Sequence, residues 1–438
     1  MPAGRSLLGA YQGFMLCYLA ALLYLYPYGV PVSAEANFRL TDLFALAALF
    51  MGLGATLLKG QIKVDRVFLA VAGAFLLLEL SLPVIGAAGY RRPVDFVSAL
   101  RMAMLWLPMV FLTLLAPSWK SVQFEESLAK LLAVTLWLNL AYAVLQVAAA
   151  IGVVPRQLLI TEWLQPWAVD HNYNVIQGLR PAGFFNNSTA LSVFGIVCLC
   201  FFYARHVSSG SRKDLVRALI AIGIVVLSTS RAAYAACAAI VFAGWWHLSS
   251  TRKVMLGAIL IAGGGGLLIL VQETIGVEVA FSRFQRLADS GLLEDESFGA
   301  RVYQIWPAAL QAARDYTFGT LIQAPRALPL VDSGYLTYYL QGKWPFVAAL
   351  AALLSGFWYF GLRAFFGPKS QRFGILALFL AIYLTGALLI SNPLRSPSMI
   401  FFLIFSLWRL SAERDSRLMQ SRAVANASNE RGTGLVET

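Results

Sequence analysis

From Phe373 to Ser391 the chain reads FGILALFLAIYLTGALLIS, without one charged residue. As a helix, a stretch of this length reaches about 30 Å, the thickness of a bilayer's hydrocarbon core. In water every side of it would need covering, because no face is polar. Runs of this kind recur along all 438 residues. Spans need roughly 17 to 25 apolar residues. Candidate runs fall near 7–30, 43–59, 67–89, 96–115, 131–154, 188–204, 215–230, 232–248, 255–275, 344–362, 373–391 and 397–410, the last being short. In lipid a helix satisfies its own backbone hydrogen bonds. The expectation is an all-α polytopic membrane protein of about 12 transmembrane helices, with a large, partly helical loop between the ninth and tenth spans. Only 13% of the residues are charged, about half the share of a soluble domain.

The organisation follows from the runs. Residues 1–275 hold nine spans and a medium loop at about 155–187. Residues 276–343 form the long loop, 344–410 the last three spans, and 411–438 a polar tail read as disordered. Arg5 ahead of an apolar stretch ending in PVSA also fits a cleavable leader. The Tyr- and Pro-rich length of that stretch favours an uncleaved first span.

The net charge of +12 marks cytoplasmic loops in such a chain, not nucleic acid. With the N-terminus inside, the loops around Lys59, Lys63 and Arg66, around Lys120 and Lys130, around Arg205 to Arg217, at Arg252 and Lys253, and from Arg363 to Arg372 are all basic. Both termini then lie in the cytoplasm. The opposite loops use arginine almost alone, among them Arg180, Arg231 and Arg301, with Lys343 the single lysine. Arginine offers a planar, always-charged fork that matches phosphate oxygens; codon preference is the competing account of the bias.

Three outer stretches stand out. GLRPAGFFNNSTA (178–190) sets Arg180 before a Pro–Gly turn. Asn186 and Asn187 follow at a helix start, a combination suited to an anion. STSRAAYAA (228–236) puts Arg231 at a hairpin tip. In the long loop, Val302, Ile305, Trp306, Ala309, Leu310 and Ala313 recur at helical steps. They predict an amphipathic helix whose polar face carries Arg301, Gln304 and Gln311. VDSGYLTYYLQG (331–342) then offers Asp332, Tyr335 and Tyr338 at helical spacing. Each feature has a structural alternative: a capped span for the first, a snorkelling arginine for the second, and an N-cap for Asp332. Trp306, Tyr335 and Tyr338 suit ring stacking and interfacial anchoring equally. Within the spans Glu79 and Arg101 form the expected charge pair. Cys17, Cys198, Cys200 and Cys237 all sit in apolar runs, and His171 is the one outer histidine. Neither residue set has metal-ligand spacing, so no metal and no cofactor is expected.

The order of an Arg-Pro-x-Gly turn with Asn, a Ser-Arg hairpin tip, an Arg-x-x-x-x-Trp helix and a Tyr-Leu-x-x-Tyr-Leu segment resembles the O-antigen ligase and polymerase (Wzy-type) superfamily. The motifs lie in residues 180–240 and 295–345. The resemblance implies a metal-independent glycosyltransferase at the periplasmic face of the bacterial inner membrane. Its donor would be an oligosaccharide on undecaprenyl pyrophosphate, and a chain-length regulator is a possible partner. It implies pyrophosphate-binding roles for Arg180, Arg231 and Arg301. Ligases of the superfamily begin the last motif with His, where this chain has Asp332. That departure favours a repeat-unit polymerase for O-antigen, capsule or exopolysaccharide, with Asp332 toward the acceptor hydroxyl. The alternatives are a ligase acting on lipid A-core and, from another class, a flippase of lipid-linked glycan.

Overall fold

The computed structural model describes residues 3–24, 29–31, 37–59, 120–155, 181–261, 296–319 and 331–410, apart from 186, 229, 318, 368–370, 397–398 and 407. Isolated positions 73, 107, 108 and 111 are also described. The protein is a helical membrane protein. Five described helices are long and apolar enough to cross a bilayer.

Helix α1 (Ala3–Tyr24) leads through paired strands β1 (Gly29–Pro31) and β2 (Asn37–Arg39) into α2 (Leu40–Lys59). This antiparallel pair is the one departure from an all-α chain among the described residues. Then come α3 (Lys120–Ala150), α4 (Ser188–Ser209), α5 (Arg212–Leu227) and α6 (Arg231–His247). A helix at 250–261 follows as α7.

Helix α4 is the hub. Every residue from Leu191 to Val207 is buried. Helices α3, α5 and α6 and a later helix pack round it. The outer helices keep an apolar face uncovered: Leu57, Phe242, Trp246 and Ile261 each leave two thirds or more of their surface exposed. Such faces are untenable in water and natural in lipid.

The outer helix is compound: α8 (Glu296–Ala300), a π turn (Arg301–Ile305), α9 (Trp306–Ala312) and a short 3-10 turn to Asp315. Pro307 accounts for the π turn. Its ring would collide with the carbonyl four residues back, that of Tyr303, and it has no N–H to give. The chain widens instead, and the Trp306 N–H bonds to the Arg301 carbonyl. The widening changes the expected phase. Ala309 and Ala313 are buried against Leu336 and Leu340, while Leu310, expected on the apolar face, is 43% exposed.

Helix α10 (Gly334–Phe365) kinks at Gly342 and Lys343, just ahead of Pro345. The span expected from residue 344 is its second half. Its first half lies in the stretch that the sequence assigns to the long loop. Lys343 takes φ 56° at the kink, and its Nζ donates to the Ala313 carbonyl at 2.5 Å. Helix α11 (Arg372–Ile390) runs against α10 so closely that a Cβ on Gly361 would lie 2.6 Å from Leu378 Cα. Close approach of this kind replaces the hydrophobic effect between helices in lipid. The helix Met399–Leu410, α12, ends the described chain.

Charge is concentrated at one end of the bundle. Glu125 of α3, 1% exposed, accepts from Arg205 of α4 at 2.6 Å, Arg372 of α11 at 2.7 Å and Arg409 of α12 at 3.3 Å. Arg205 also reaches Glu126 and Asp214, and Asp214 takes Arg217 at 3.0 Å. Helix α3 begins eleven residues ahead of its apolar run and α4 ends five residues past its own, which brings Glu125, Glu126 and Arg205 into the packed end. The pair expected between Glu79 and Arg101 lies outside the described residues.

Candidate functional site

The opposite end of the bundle gathers the stretches singled out in the sequence. The first is the turn before α4. Gly183 has φ +59°, and a Cβ there would lie 2.5 Å from Asn139 Oδ1. Only glycine suits both conditions. Three residues on one face of α3 hold the turn. Gln146 Oε1 accepts from the N–H groups of Ala182 and Gly183 at 3.0 and 2.9 Å. Asn139 Oδ1 accepts from Phe184 N at 3.0 Å. The Tyr142 ring stacks on Phe184, centroids 4.7 Å apart. Asn139 is fully buried and Gln146 nearly so. Spaced 139, 142 and 146, the three share a helical face. Two amides in an apolar run are the signal that the sequence holds for this contact.

As expected, Asn187 is the N-cap of α4, its Oδ1 accepting from Ala190 N at 2.7 Å. Arg180 and Asn186 lie outside the described residues, as do His171 and most of the 155–187 loop. Arg231 opens α6 behind an extended Ser230, which makes no side-chain cap. The side chain of Arg231 is not among those described.

The second stretch is where α10 begins. Arg301 Nη2 donates to Asp332 Oδ2 at 2.8 Å, and Nε to the same oxygen at 3.2 Å. The structure thus joins two residues 31 apart in sequence, one from the outer helix and one from the segment before α10. Neither bond uses Oδ1. The Asp332 side chain is 49% exposed and that of Arg301 25%, so the pair is a reachable surface. Asp332 is not the helix cap: Ser333 takes that place, its Oγ accepting from Leu336 N at 3.4 Å. The π turn that presents Arg301 is a helix irregularity of the kind often found at working sites.

The neighbouring side chains sort themselves. Tyr335 is half-buried and donates its O–H to the Thr385 carbonyl at 3.2 Å. Tyr338, expected as a substrate residue, faces inward. It is 3% exposed and packs on Phe346, because its position on α10 turns it into the bundle. Asp332, outside the helix, therefore does not share a face with both tyrosines. Trp306 packs edge-on to Phe298, and its indole Nε1 is buried without a hydrogen-bond partner among the described residues. The main chain of α10 is tied to the end of α11, where Gly334 N donates to the Ser391 carbonyl at 3.1 Å.

Between the α5 and α6 hairpin and α7 lies an open apolar groove of about 550 Å³, walled by Ile222, Val225, Val241, Phe242, Trp245 and Leu260 among others. It begins below the Ser230–Arg231 tip.

No protein-family model and no curated protein sequence matches the chain.

Proposed function

We propose that the protein is a membrane glycosyltransferase. In this reading it polymerises oligosaccharide repeat units carried on undecaprenyl pyrophosphate at the periplasmic face of a bacterial inner membrane, with both termini cytoplasmic. About 12 spans, counted from the apolar runs, complete its membrane domain. The single observation that carries the reading is the Arg301–Asp332 pair, exposed at the bundle end that also holds the 181–187 turn and the Ser230–Arg231 tip.

The chemistry suits those groups. The acceptor hydroxyl oxygen attacks the anomeric carbon of the donor sugar, and the bond from that carbon to the pyrophosphate oxygen breaks. The hydroxyl proton passes to Asp332, through Oδ1, which Arg301 leaves unengaged. The leaving undecaprenyl pyrophosphate keeps the electron pair. Guanidiniums stabilise the negative charge that develops on it. Arg301 then has two tasks: it holds Asp332 and faces the leaving group, with Arg180 and Arg231 as the further cations. The pyrophosphate is already a good leaving group, so no metal is required. A donor dissolved in the bilayer explains why the site sits at the end of a lipid-facing bundle.

The test is a deletion strain complemented with variants. Loss of the gene should leave single-repeat products on the surface glycan. Arg301→Ala should not restore the ladder although the protein is inserted, and Arg301→Lys should restore it poorly, because it keeps charge and loses the fork. Asp332→Asn should slow turnover roughly 10²–10⁴-fold, the usual size of a lost general base. A deletion strain with unaltered glycans would defeat the proposal.

A further inference from the structure

Asn392 stands directly after Ser391, whose carbonyl accepts the Gly334 N–H at 3.1 Å. It is therefore beside the first turn of α10, two residues on from Asp332. Its side chain is unusual in one respect. Neither Oδ1 nor Nδ2 has a hydrogen-bond partner among the described residues, and both atoms are shut away from solvent. Native proteins nearly always satisfy such atoms, because an unpaired buried amide loses water and gains nothing. An apolar residue of similar volume, such as leucine, would avoid that loss.

The local fold offers no structural use for the amide. Asn392 is not a helix cap of α11, whose end is closed by Ser391 N bonding to the Ala387 carbonyl at 2.8 Å. It makes no side-chain bond to the 3-10 turn Pro393–Arg395 that it precedes. Trp306, five residues on from Arg301 in the outer helix, presents a second buried, unpartnered donor. One orphaned group thus follows Arg301 in the outer helix, and the other adjoins the first turn after Asp332. A carboxamide carries a donor and an acceptor side by side. An indole adds one donor on a flat apolar ring. Together these groups complement a sugar: neighbouring hydroxyls for the amide, a ring face and a hydroxyl for the indole.

Resting on the glycan-transfer reading, we propose that Asn392 is a binding residue for the acceptor sugar, its amide holding hydroxyls adjacent to the one that Asp332 deprotonates. The amide remains unsatisfied in the empty protein and is satisfied when the acceptor enters. Satisfying it on binding makes the site reject acceptors that lack those hydroxyls, since the loss then falls on the complex.

The experiment uses the full-length protein in lipid nanodiscs. The substrate is the lipid-linked repeat unit extracted from the deletion strain. Asn392→Leu should fold with a melting midpoint equal to or above that of the parent. Its KM for acceptor should rise about tenfold, the loss expected for one uncharged hydrogen-bonding group, with kcat changed less. Asn392→Ser, which keeps one hydrogen-bonding group, should fall between the two. An unchanged acceptor KM in both variants overturns the proposal. So does a lowered melting midpoint with unchanged KM, which would make the amide a structural group satisfied by a trapped water. If Arg301→Ala is inactive while Asn392→Leu is normal, only the role of Asn392 fails. If the parent protein extends no repeat unit, the glycan-transfer reading fails and takes this one with it.

Discussion

The buried carboxylate Glu125 should be the most sensitive single position in the bundle, and its neighbour Glu126 nearly indifferent. Glu125 takes guanidinium donors from α4, α11 and α12 on two oxygens at 2.6, 2.7 and 3.3 Å. Replacement by glutamine preserves volume and removes the charge. One oxygen becomes an NH₂ group that faces Arg372 and Arg409, donor against donor. Arg205 and Arg409 have side chains only 10% and 7% exposed, so water does little to compensate them. Breaking a buried pair by removing one partner costs about 3–5 kcal/mol, and the upper half of that range applies where three cations share one anion. Glu126, by contrast, has a side chain 55% exposed and one bond to Arg205 at 2.8 Å. Exposed pairs contribute about 0–1 kcal/mol. The assay is equilibrium unfolding of purified protein in mixed micelles, followed by tryptophan fluorescence, for Glu125→Gln and Glu126→Gln in parallel. The two adjacent variants should differ by about 3 kcal/mol or more. If Glu125→Gln lies within about 0.5 kcal/mol of the parent, the size of a typical surface change, the cluster does not hold these helices together. The reasoning from burial would then fail.

Two further changes probe the other end. Gly183→Ala should cost about 1–2 kcal/mol for the left-handed backbone alone, and it should also displace Asn139 from Phe184. Membrane levels close to the parent with a shortened glycan ladder is the expected result; a full ladder would show that the turn's geometry does not matter. Pro307→Ala removes the cause of the π turn and lets an ordinary helix form. The helix should be stabilised while Arg301 rotates away from Asp332. Activity should then fall although Arg301 and Asp332 are both present, and unchanged activity would separate the π turn from function.

Some of this was legible because it is local. The runs at 188–204 and 373–391 announce α4 and α11 through uninterrupted hydropathy. Asn187 announces a helix start through its short acceptor side chain, and it is the cap. The amphipathic period from Arg301 to Ala313 announces a helix that is present. What escaped depends on pairing or on a local exception to a period. Pro307 shifts the phase by inserting a residue into a turn, so Leu310 faces out. Asp332 and Ser333 are both good caps, and only the path of the chain decides that Ser333 takes the role and leaves Asp332 for Arg301. Asn139 and Gln146 look like stray polar residues in a span until the 181–187 turn is laid on them.

The charged end carries a different lesson. In the sequence Arg205, Arg217 and Arg372 are topology signals, cations kept on the cytoplasmic side, and Arg409 stands at the end of the last apolar run. In the folded protein they meet Glu125, Glu126 and Asp214, four guanidiniums against three carboxylates, in a largely buried cluster. That does not cancel the topology argument, because loop arginines and lysines bias insertion while acidic residues contribute little to it. It does mean that one set of side chains serves twice. During insertion the loop arginines act through their own loops. After folding they act together, and Glu125 ties α3 to helices as far along the chain as Arg409. The sites proposed for chemistry lie at the opposite end, where no such buried cluster is found among the described residues and Arg301, its side chain 25% exposed, pairs with the 49% exposed Asp332. A buried ionic cluster at one end and an exposed ion pair at the other would suit the proposed enzyme, whose donor would enter from the membrane: the helices would stay registered at one end while the other admits the substrate.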